Sequence, residues 1–140
     1  MLPNPQPRCL VRELSPDVWL LDFDPASSGG LGGASVALDH STGMASITGV
    51  HRNSNLPRRS TGELVADGLR QTTMPRPAVL EAYNVELGTR YNLMSGGDGS
   101  GTLLGNLLED TADALGATII RWEPVAAGKV WHLRVHLLYP

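Results

Sequence analysis

The chain has 140 residues, a formal net charge of −3 and only 18% charged residues. That length suits one domain with its own core, and the balance excludes the basic excess of a dedicated nucleic-acid binder. The single cysteine, Cys9, excludes an intramolecular disulfide framework and a thiolate metal site, and is expected as a small buried apolar residue.

In chain order, Met1 to Arg8 holds three prolines and reads as an extended segment, giving a proline-rich lead-in over 1–10 and a single domain over 11–140. It lacks the basic start and apolar run of a signal peptide, and no later run approaches the roughly 18 apolar residues of a membrane span. Val18 to Asp24 alternates as a strand and leads into a Gly/Ser/Pro loop over Pro25 to Gly33. Two further strands, Ala34 to Asp39 and Met44 to Val50, flank a turn at His40-Ser41-Thr42-Gly43. Ser60-Thr61-Gly62-Glu63 matches a capping box and predicts a helix to about Gln71. Pro77 at a first helical position, followed by Val79, Leu80, Tyr83 and Leu87, predicts a second helix. Leu103, Leu104, Leu107, Leu108, Ala112 and Leu115 form the strongest amphipathic helix, stopped by Gly116. A hairpin, Ile119 to Glu123 and Trp131 to Leu137, ends the chain. This order predicts an α+β fold, an antiparallel sheet of about five strands with two or three helices on one face.

The last hairpin carries the chemistry. Strand alternation sets Trp131, Leu133, Val135 and Leu137 on one face and His132, Arg134 and His136 on the other. Pairing across the turn adds Arg121 and Glu123 to the polar face and sets Ile120 and Trp122 opposite. Histidine suits proton transfer near neutral pH, and arginine presents a fork matched to phosphate oxygens. His132, Arg134, His136, Glu123 and Arg121 therefore form a candidate catalytic set for metal-independent phosphodiester cleavage, in which a ribose 2′-hydroxyl attacks its own phosphate. His51, Arg52, Asn55, Arg58 and Arg59, between a strand and the capped helix, are candidate substrate-binding residues.

Other motifs fail on chemistry. Gly96 to Gly101 with Thr102 is no Walker A loop, because Gly101 stands where the lysine belongs. Asp22 and Asp24 lack the later lysine and acidic pair of a dehalogenase-like phosphatase. On a strand His132 and His136 lie roughly 13 Å apart, too far to share a metal, so neither metal nor cofactor is expected.

A helix followed by an antiparallel hairpin bearing Arg121, Glu123, His132, Arg134 and His136 resembles barnase-, colicin- and RelE-type ribonuclease toxins. With its proline-rich entry the chain is also similar to the C-terminal toxin domains of bacterial polymorphic toxin systems. The resemblance implies an RNA substrate, an acidic immunity or antitoxin partner, cytoplasmic action and delivery within a larger secreted protein. Two other readings use the same residues: a non-catalytic binding or assembly module with the hairpin face as its interface, and an enzyme acting on a nucleotide, with Glu123 or Glu81 on the sugar.

Overall fold

The computed structural model describes residues 9–23, 31–53, 56, 58–83, 87–127 and 130–140. Four strands, β1 (Cys9–Ser15), β2 (Val18–Phe23), β3 (Gly32–Asp39) and β4 (Met44–Arg52), form an antiparallel meander. Helix α1 (Arg58–Arg70) crosses over to β5 (Val79–Ala82), which lies parallel to β4. Helices α2 (Leu87–Met94) and α3 (Leu103–Leu115) follow, and the hairpin β6 (Thr118–Ala127) and β7 (Val130–Leu138) closes the sheet. The strand order is β1-β2-β3-β4-β5-β7-β6. The α+β class stands, but among the described residues the sheet has seven strands and is mixed, where about five antiparallel strands were expected.

Alternation decides which face is apolar. Leu21, Phe23, Val36, Ile47, Leu80, Leu133 and Val135 are fully buried, and register places them on one side of the sheet. Both long helices lie there. Gly68 of α1 leaves room for the Leu21 side chain and Cys9 Sγ, while Gly99, just before α3, backs onto the Leu133 side chain. Cys9 is indeed a buried apolar residue, and burial, reinforced by Asp67 and Asp22, pushes its thiol up to about 12. No described helix is long and apolar enough to cross a membrane.

The turn at His40 to Gly43 forms as expected, with Gly43 at φ +70° and its carbonyl accepting from the Ala78 and Val79 amides. The strong amphipathic helix is α3. Thr102 caps it by accepting from the Gly105 amide, and Gly116 ends it in the left-handed conformation.

Four expectations change. Strand β1 begins at Cys9, inside the stretch read as a lead-in; residues 1–8 lie outside the described residues. The helix expected from Pro77 is instead β5, a short strand inserted between β4 and β7. Four residues are too few to show a strand period, and with Glu81 buried among its own partners the sequence imitates a helical stripe. Helix α1 begins at Arg58, so Ser60 and Glu63 lie within it and form no capping box. A bulge between Ile119 and Arg121 turns Ile120 out to solvent, away from the side that Trp122 shares with Val135.

A close backbone approach fixes the start of α3: a Cβ on Gly105 would stand 2.1 Å from the Gly99 carbonyl oxygen. Gly105→Ala is therefore expected to lower unfolding free energy by about 2 kcal/mol or more, measured by urea denaturation. An unchanged midpoint would show that the turn into α3 yields freely.

Candidate functional site

The polar face of the last hairpin forms as the alternation predicts, and it is wider than two strands. His132, Arg134 and His136 of β7 share it with Arg121 and Glu123 of β6. Register adds Glu81 of β5 opposite Arg134, and Ser46 of β4 opposite Glu81. Glu81 is only 4% exposed. One of its oxygens accepts from Ser46 Oγ at 3.0 Å, and the other accepts from Arg134 Nε at 2.6 Å. His132 Nδ1 lies 3.4 Å from the same oxygen as Arg134. A second cluster lies beside it, where His136 Nε2 meets Glu123 Oε1 at 2.8 Å and Arg121 reaches the other Glu123 oxygen at 3.4 Å.

Burial alone would push the Glu81 carboxyl up. Hydrogen bonds from Arg134 and Ser46, with the Arg134 charge, outweigh it and hold the group below the usual glutamate range. The His136 hydrogen bond likewise lowers Glu123. Two guanidinia thus meet two carboxylates, and the face is charge-balanced rather than basic. His132 presents Nδ1 to Glu81, and His136 presents Nε2 to Glu123.

On the helix side, a cleft of about 240 Å³ opens where β4 and β5 part. Their parallel pairing spans only Met44↔Val79 to Ile47↔Ala82. Beyond it, Gly49 and Val50 form a bulge opposite Ala34, with Gly49 at φ +61°, and β4 veers from β5. Ile47, Val50, Ala82, Leu103, Leu104 and Leu107 supply apolar walls; Arg52, Thr61, Tyr83, Asn106 and Asp110 supply polar ones. Thr61 lies in the first turn of α1 and is 3% exposed, yet its Oγ1 has no hydrogen-bond partner among the described residues. Burial raises the Asp110 carboxyl, against the nearby Arg59 charge. Tyr83 joins the two sides of the sheet. It lines the cleft, and its ring stacks on His132 with centroids 4.6 Å apart and planes 18° apart.

The five expected catalytic residues therefore share one face, in two carboxylate-centred groups. The expected binding residues do not gather there. Arg52 lines the cleft and donates to the Leu56 carbonyl. His51 is exposed, its Nδ1 3.2 Å from the Gly49 carbonyl oxygen. Arg59 pairs with Glu63 and Asp110. Asn55 and the Arg58 side chain lie outside the described residues. Sequence reasoning missed Ser46, Thr61 and the joining position of Tyr83, and placed Glu81 on a helix. Among the described residues no group of three or more His, Cys, Asp or Glu is placed to hold a metal ion.

No family model matches the chain, and no curated protein matches it. Among solved structures it is similar to a crystal structure named "putative acetyltransferase from Sphaerobacter thermophilus DSM 20745", with 16% identity and a TM-score of 0.42 over 89% of this chain and 70% of that one.

The Glu81 cluster predicts a pH signature. A carboxyl held below its ordinary value of 4.5 adds stability that is complete above that value and is lost as pH falls through the depressed one. Glu81→Gln is expected to cost about 3 kcal/mol at neutral pH, with the gap from the parent protein closing in acid. Equal gaps at pH 7 and pH 3 in urea titrations would contradict it.

Proposed function

We propose that this protein binds a small phosphate-bearing ligand in the cleft between β4 and β5. The observation that carries this reading is Thr61, a buried hydroxyl in the first turn of α1 with no hydrogen-bond partner among the described residues, at a cleft that opens at the carboxyl ends of two parallel strands. Ligands of α/β sheets bind outside such strand ends. The first amides of the crossover helix lack helical partners and favour negative charge. The first turn of α1 contains no acid, so nothing within the helix competes for that position. The bulge at Gly49 and Val50 has no β5 residue opposite it, which suits a slender ligand lying along β4.

Among the described residues Asp110 is the only acid in the lining. Arg59 partly offsets it at 3.9 Å, and burial eases its protonation.

A second reading, cleavage of RNA on the open face, is favoured by the His136–Glu123 pair with Arg121 beside it. An acidic immunity protein over that face belongs to this reading. It predicts RNA cleavage that survives EDTA and disappears in a His132→Ala/His136→Ala double variant. RNA left intact at high protein concentration would remove it.

Calorimetric titration with pyrophosphate, AMP and coenzyme A tests the cleft. Saturable binding is expected for at least one probe. Thr61→Val should weaken it, whereas Asp110→Asn, removing the opposing charge, should tighten it about five-fold. No binding to any probe, or equal affinity in all three proteins, would overturn the reading.

A further inference from the structure

The cleft also carries information about the part of the ligand that is not phosphate. Tyr83 and Leu103 both border it, and both are exposed, at 39% and 44%. An exposed leucine alone is ordinary. Here, however, it accompanies a tyrosine whose ring is held in place. His132 packs against one face of that ring, and Glu81 in turn fixes His132. The ring is thus held ready for a planar partner on its other face, without the entropy cost of ordering a free side chain. Asn106 and Leu107 of α3 line the same cleft. An amide offers donor and acceptor together, the pattern that pairs with a purine or pyrimidine edge.

We infer that the ligand is a nucleotide whose base stacks on Tyr83, covers Leu103 and meets Asn106, with its phosphate toward Thr61 and the start of α1. This inference rests on the phosphate-ligand reading above and extends it to the class of ligand. The volume of about 240 Å³ lies below the usual range for drug-sized ligands. It suits one nucleotide unit, and the rest of a larger molecule would lie outside.

Calorimetric titration with AMP and with ribose 5-phosphate, which carries a hydroxyl at C1′ where AMP carries adenine, tests the assignment on the whole chain. AMP should bind at least about five-fold more tightly, the gain expected from stacking one base. Tyr83→Ala should reduce AMP to the level of ribose 5-phosphate without altering ribose 5-phosphate itself, which also shows that the variant is folded. Tyr83→Phe, which keeps the ring and its stack on His132, should retain the gain. Equal affinity of the two ligands for the parent protein, or full AMP affinity in Tyr83→Ala, would overturn the nucleotide assignment and leave the phosphate site standing. If neither ligand binds and pyrophosphate and coenzyme A also fail, the cleft reading itself falls and takes this inference with it.

Discussion

One buried carboxylate organises this molecule. Glu81 sits where the sheet changes from antiparallel to parallel, and it ties β4 through Ser46 and β7 through Arg134 to its own strand. A carboxylate taken out of water without partners costs several kcal/mol, so its presence there requires all of them. The cost of an incomplete set makes the arrangement specific. A one-residue slip of β5 would turn Glu81 into the apolar layer and set Leu80 or Ala82 against Arg134. The register of a four-residue strand, too short to be fixed by its ladder alone, follows from this.

The cleft is the other side of the same constraint. With β5 held in register, its pairing with β4 ends at Ile47 and Ala82. The bulge at Gly49 then carries β4 away, while α3 covers the end of β5 from the helix side. Tyr83, one residue past the last pair, stands between the charge-balanced open face and the half-apolar cleft. Its ring stacks on His132 of the open face while it also lines the cleft.

The sequence was legible wherever one face of an element is wet. Trp131 to Leu137 alternates because helices cover one side of β7 and water reaches the other, and α3 shows its stripe for the same reason. The turn at Gly43 and the stop at Gly116 were legible because left-handed backbone favours glycine. Val79 to Ala82 was not, since its open-face positions are Val79 and a Glu81 buried among its own partners, which leave no exposed polar side to mark the period. Glu81, within the expected helix, entered only as a candidate contact to a sugar. The grouping of His132 and Arg134 followed from local pairing, but their shared carboxylate depended on a contact 53 residues away. The cleft was invisible for a related reason: Thr61, Tyr83 and Asn106 belong to three separate elements, and each alone is an ordinary residue.

The side of the sheet that receives the ligand separates the cleft from the open face. The most direct measurement is amide NMR of the intact protein titrated with AMP. Shifts concentrated at Gly49, Val50, Thr61 and Asn106, with the β6 amides unmoved, are what the cleft predicts. Shifts concentrated at Arg121, Glu123 and His136 would place the ligand on the open face and contradict it.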